Sequence, residues 1–184
     1  MSTINVSRRR FLQTSAVTGG GLVVGLAVTG CSGTPAPLPV ARTQGAWTPN
    51  AFLQVLPDNT IRFYTARSEM GQGVTTGLAT LVGEELDVNP LDMEIRLAGA
   101  HEDYVNPAFG MQGTGGSTSI RAHYLQLRQV GANTRALILE AASQDLGVPV
   151  SSLSTENGYI VQGASRHPYA DFITTAQSLN IDAD

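Results

Sequence analysis

The chain has 184 residues, a formal net charge of −4 and 14% charged residues. It carries no basic stripe, which argues against a nucleic-acid partner. Its single cysteine, Cys31, excludes an intrachain disulfide and any iron–sulfur cluster held by this chain alone, since such clusters need several thiolates.

The first segment reads as a targeting signal. Arg8, Arg9 and Arg10 precede Phe11-Leu12, close to the twin-arginine export pattern. An uncharged run follows from about Thr14 to Gly30, rich in glycine and threonine. That composition suits a processed or anchoring signal better than a membrane-spanning helix, the rival reading. The run ends Val28-Thr29-Gly30-Cys31, which resembles a lipobox with Cys31 as the lipidation site. An incidental cysteine is the alternative. Residues 1–31 are thus expected to be a signal, sending the protein to the periplasm or to a membrane surface by lipid attachment. Residues 32–50, with Pro35, Pro37, Pro39 and Pro49, read as a semi-extended linker. Residues 51–184 remain for one modest core.

Phe52–Leu56 alternates apolar and polar residues, Pro57-Asp58-Asn59 supplies turn chemistry, and Ile61–Tyr64 returns as a second strand. The glycine-rich Glu69-Met70-Gly71-Gln72-Gly73 then opens a helix over about 75–86, which Asp87–Pro90 breaks. Glu84 and Glu85 sit at its solvated end. Met93–Leu97 reads as a strand, and residues 98–115 as a long loop. His101, Glu102 and Asp103 lie in that loop, without a second cluster at metal-binding spacing.

A second glycine-rich run, Gln112-Gly113-Thr114-Gly115-Gly116-Ser117-Thr118-Ser119-Ile120-Arg121, opens a long helix ending near Asp145. Ser117 is its expected N-cap. Ile120, Tyr124, Leu127, Gly131, Thr134, Ile138 and Ala141 form its expected buried stripe. Thr155–Val161 reads as a hairpin around Asn157-Gly158, and a last helix is expected from Pro168 to about Leu179. The class is α+β: antiparallel hairpins packed with a long helix.

Each glycine loop runs into a helix. Glycine lets backbone approach a ligand, and a helix start offers unpaired N–H donors and positive dipole. Either loop alone is commonly a plain turn; the two together suit one polyanionic cofactor.

These segments resemble the molybdopterin-binding subunit of the xanthine dehydrogenase/aldehyde oxidase family, nearest its isoquinoline 1-oxidoreductase beta-subunit branch. The likeness extends from about Phe52 to Ile173. It is carried by Ser68–Gly73, Val82–Val88, Thr114–Arg121 and Thr155–Gly158. It implies a partial molybdopterin-binding domain over residues 51–184. The implied cofactor is molybdenum–molybdopterin, with the cytosine dinucleotide form included. Gly71 and Gly73 would admit the pterin, and Gln72 would lie near the dithiolene and oxo side. Gly115, Gly116, Ser117, Thr118 and Ser119 would bond the pterin or its phosphate tail, with Arg121 adding a charge-assisted contact or a surface ion pair. The metal takes its ligands from the cofactor, so no protein ligand is expected.

The implied reaction hydroxylates an aldehyde or an N-heteroaromatic carbon with oxygen from water. Electrons leave through an iron–sulfur subunit. The family's catalytic glutamate comes from farther along a longer subunit, and the catalytic residue is unknown here. Glu69 and Glu140 are poor substitutes. The expectation is an amino-terminal part of a molybdenum hydroxylase, not catalytic alone and completed by the remainder of the large subunit or a second chain. The alternatives are a non-catalytic exported lipoprotein and a translated remnant that keeps the fold.

Overall fold

The computed structural model describes residues 43–179. The signal, Cys31 and most of the linker lie outside them. The linker's described end is packed. Trp47 is buried, and its N–H and carbonyl both bond Val55 at 2.9 Å. The Asn50 carboxamide accepts from the N–H groups of Phe52 and Leu53, 2.9 and 3.0 Å away. The tether expected to reach residue 50 therefore gives way to packed chain by Trp47.

β1 (Leu53–Val55) and β2 (Ile61–Thr65) form the expected hairpin, with Leu53 opposite Phe63. Asn59 turns the chain at φ 68°, an αL position that asparagine tolerates. α1 (Val74–Leu86) follows the first glycine loop and buries Val74, Leu78, Ala79, Val82 and Leu86. It stops at Asp87, itself αL at φ 58°. β3 (Glu94–Leu97) then joins β2 in parallel, with Phe63 opposite Ile95. The first sheet is therefore mixed, in the order β1-β2-β3. The parallel β2–β3 pair stands beside the expected antiparallel hairpins. The β2-α1-β3 passage is a crossover unit, and a helix is the usual way to bring a strand back parallel.

α2 (Ser119–Leu146) packs along α1. Gly131 permits the approach, because a Cβ there would lie 2.5 Å from the Val82 carbonyl oxygen. Its buried residues are His123, Leu127, Gly131, Thr134, Ile138, Ala141 and Ala142. Ile120 and Tyr124, expected on that stripe, are 39% and 43% exposed. A helical period admits either a three- or a four-residue step back from Leu127. The fold takes the four-residue step, burying His123 in place of the more apolar neighbour.

β4 (Ser154–Glu156), β5 (Tyr159–Gln162) and β6 (Ser165–Pro168) make a second, antiparallel sheet. Asn157 and Gly158 turn it at φ 45° and 79°, the pair of positive angles a tight hairpin requires. β6 includes Pro168, read from sequence as a helix start. The helical segment begins one residue later, as a 3-10 turn over Tyr169–Phe172 and then α3 (Ile173–Ala176). The class is α+β, as expected. One core joins the two sheets and the helices through Phe63, Leu78, Leu86, Leu127, Ile138 and Ile160.

Candidate functional site

The two glycine loops meet. The Ser68 N–H donates to Thr114 Oγ1 at 2.9 Å, across 46 residues of sequence. The packing of α1 on α2 brings the helix starts together, and the loops leading into them follow.

The first loop satisfies itself. One Glu69 carboxylate oxygen accepts from the N–H groups of Gly71 and Gly73 at 2.8 and 3.0 Å, and the other from Thr75 at 3.0 Å. These bonds hold the Glu69 carboxyl down at about 2. The Gln72 carboxamide accepts from the Met70 N–H at 2.6 Å and donates to the Ser68 carbonyl at 2.9 Å. Gly71 and Gly73 adopt φ 92° and 76°, a region that side chains disfavour. Their N–H groups are therefore not free donors, as the glycine pattern suggests, but ligands of Glu69. Glu69, set aside in sequence as a weak candidate base, is the cap of α1.

The second loop is open. Among the described residues no acceptor meets the N–H groups of Gly115, Gly116, Ser117 or Ser119. A Cβ on Gly115 would touch nothing within 4 Å, and its φ is not positive. The chain's own packing gives no reason for glycine there, whereas close approach of an outside group would. Ser117 is not the expected N-cap. It stands at φ 52°, and Thr118 takes the cap position without a side-chain bond to the helix. The Thr118 hydroxyl instead donates to the Gly115 carbonyl at 2.8 Å and accepts from Asn106 Nδ2 at 2.7 Å. Asn106 is fully buried and takes the Ala108 N–H on its Oδ1, so it braces the long loop against the second glycine loop. Arg121 is exposed and makes no ion pair among the described residues.

Behind the loops lies a pair that sequence reading passed over. Arg67 and His123 are both fully buried, with Arg67 Nη2 2.9 Å from His123 Nε2. Arg67 Nη1 also donates to the carbonyls of Ala66 and Tyr104. Burial foremost, and then the Arg67 charge, push the His123 imidazole down to about 4. It is neutral at pH 7, and Nε2 accepts from the guanidinium. The one sequence signal was Arg67 itself, a charge placed between an apolar strand and a glycine loop.

Of the other sequence candidates only His101 touches a loop, and by its backbone: its N–H donates to Gln112 Oε1 at 3.3 Å. Among the described residues no group of three His, Cys, Asp or Glu could hold a metal ion. His101 Nδ1 lies 3.2 Å from Asp103 Oδ2. Glu85 pairs with Arg128, with Arg128 Nε 2.6 Å from its carboxylate. A groove of about 620 Å³ runs elsewhere, past Pro49, Leu125 and Leu179.

The family model for the molybdopterin cofactor-binding domain matches residues 2–184. The chain belongs to this family. It is 28% identical over 179 residues to the isoquinoline 1-oxidoreductase subunit beta of Brevundimonas diminuta, covering 95% of this chain and 22% of that protein. It is 28% identical over 172 residues to the membrane-bound aldehyde dehydrogenase [pyrroloquinoline-quinone] of Gluconacetobacter polyoxogenes, covering 92% of this chain and 21% of that one. The crystal structure of quinoline 2-oxidoreductase from Pseudomonas putida 86 superposes with a TM-score of 0.48 at 15% identity, over 71% of this chain and 17% of that chain. The chain spans about a fifth of the length of the curated relatives it matches. The cofactor of this family is molybdopterin, and the open second loop is a cradle chemically suited to its polar edge and phosphate.

Proposed function

We propose that this chain is the amino-terminal part of a molybdenum hydroxylase and that its two loops contact the molybdopterin cofactor together with polypeptide beyond this chain. The observation that carries the reading is the Ser68–Thr114 bond, which sets an open, glycine-lined row of donors beside a self-capped loop. Gly115, Gly116, Ser117 and Ser119 would donate backbone N–H groups to the pterin or its phosphate. Thr118 would shape that loop, because its hydroxyl is engaged within the chain. Gly71 and Gly73 would admit the pterin face, and Gln72 would turn its carboxamide from Ser68 toward the oxo side.

When bound, the cofactor supplies the redox chemistry of hydroxylating an aldehyde or an N-heteroaromatic carbon. This chain's residues hold and orient it. Glu69 does not act as general base, since three N–H bonds keep its carboxylate ionised and occupied. A glutamate from the remainder of the large subunit or a second chain would take that part, and an iron–sulfur subunit would take the electrons. The paired arginines support export by the twin-arginine route to the periplasm, a route that carries folded proteins, and the Gly30-Cys31 junction supports lipid anchoring at Cys31.

The test is co-purification. The 184-residue chain is expressed with a candidate remainder of the subunit and an iron–sulfur subunit, in a host that makes the cofactor. Pterin fluorescence after oxidation and molybdenum by mass spectrometry should both be found, and Gly116→Asp should lower both by more than about half. Absence of pterin and metal would overturn the reading in favour of a non-catalytic exported lipoprotein or a translated remnant. The mass of the mature amino terminus decides the lipid.

A further inference from the structure

A buried guanidinium is costly unless it meets a carboxylate or a full set of acceptors. Arg67 meets neither condition. It is fully buried, its Nε has no partner, and its contacts are two carbonyls and a neutral imidazole. No salt bridge to it is found among the described residues. Its place in the chain is telling. Arg67 directly precedes Ser68, which makes the bond between the loops. Its Nη1 reaches Tyr104 in the long loop, 37 residues on. Its Nη2 reaches His123, one turn beyond Ser119 at the start of α2. Three segments that shape the site thus converge on one charged group.

We propose that Arg67 and His123 are a positioning pair that sets the spacing of the two glycine loops and stands behind them as a fixed, carboxylate-free positive charge for the anionic portion of their ligand. The ligand half of this inference rests on the cofactor reading above; the spacing half does not. Arginine suits the task because its planar fork presents several donors at once and stays charged when buried. A carboxylate partner would cancel the field that an anion feels. A neutral histidine anchors the fork without doing so. With Nε2 accepting, the ring proton belongs on Nδ1, which the Ser119 backbone one turn back favours without a hydrogen bond of normal geometry.

Three measurements on the 184-residue chain test the pair. Imidazole ¹⁵N shifts at pH 7 should show His123 as the neutral Nδ1–H tautomer; an Nε2–H tautomer or an imidazolium overturns the arrangement. Amide exchange at Ser68 should rise about tenfold in His123→Leu and stay near the parent rate in His123→Gln, whose carbonyl can still accept, while amides of the β4–β6 sheet keep their rates in both. Equal Ser68 rates in the two variants overturn the positioning role. The third uses inorganic pyrophosphate at low ionic strength, followed by the amide shifts of Gly115–Ser119. Arg67→Met should weaken binding about tenfold, and Arg67→Lys by less than about threefold. If the parent chain does not respond, or if Met and Lys weaken it equally, the counter-charge role is lost. Should Arg67→Met not fold, Arg67→Gln, uncharged but still a donor, takes its place against Arg67→Lys, and equal weakening in the two overturns the counter-charge role. A chain whose Ser68 exchange responds as expected, but which never carries pterin, would keep the spacing role and lose the cofactor reading.

Discussion

The two glycine loops look alike in composition and differ in what their backbone does. In the loop over 68–73, the N–H groups of Met70, Gly71, Gly73 and Thr75 are taken by Glu69 and Gln72. In the loop over 112–119, those of Gly115, Gly116, Ser117 and Ser119 find no acceptor among the described residues. A glycine-rich stretch before a helix is therefore not by itself an anion site. What decides is whether a carboxylate nearby in sequence has already filled it. The first loop carries Glu69 and the second carries no acid at all between Gln112 and Arg121. The self-capped loop is a firm wall, and the open loop is the face left for a ligand.

The change expected to abolish the contrast altogether is Gly131→Ala. Its Cβ would sit 2.5 Å from the Val82 oxygen and 3.2 Å from the Leu86 nitrogen, both backbone atoms. The helices must part, at a cost of about 3 kcal/mol in urea unfolding. Exchange at Ser68 should then rise in step with that loss.

Acid separates the two loops from each other. His123 has its pKa depressed to about 4 in the fold, from an ordinary 6.5. The unfolded chain thus binds its proton first. Stability falls as pH drops from about 6.5 to about 4 and levels off below, a loss on the order of 3 kcal/mol. Glu69, depressed from 4.5 to about 2, contributes above 4.5 and is lost as pH falls toward 2. Amide exchange, corrected for its intrinsic pH dependence, should show Gly71, Gly73 and Thr75 loosening only in this second, lower window. Gly115–Ser119 should not share it.

Asn106→Ala should act on the open loop alone. It removes the buried donor to Thr118 and the acceptor for Ala108, at about 2 kcal/mol. Faster exchange should appear at Ala108 and Thr118, with Gly71 and Gly73 unchanged. Glu69→Gln is its counterpart. It weakens three charge-assisted bonds, so the amides of Gly71, Gly73 and Thr75 should exchange about tenfold faster while the second loop keeps its rates. The smallest effect is expected from Thr114→Val, which deletes the acceptor for Ser68 and should cost about 1 kcal/mol. If either loop-specific variant moves both loops together, the division between wall and open face is wrong.

Local chemistry alone determined much of this protein. Pro57-Asp58-Asn59 and Asn157-Gly158 specify their hairpins, Asp87–Pro90 ends α1, and Gly147 ends α2 at φ 65°, because turn and cap preferences are properties of a few adjacent residues. The family is legible for the same reason, since its marks are short contiguous runs. Only the tertiary structure decided that β3 lies parallel to β2, that His123 rather than Tyr124 faces inward, and that Arg67 reaches it across 56 residues. It also decided which loop keeps its donors. Helical periodicity leaves a choice of one residue, and an arginine carries no sign of its burial. Those outcomes depend on which surfaces the packed helices and sheet exclude from water, and that is a property of the whole chain.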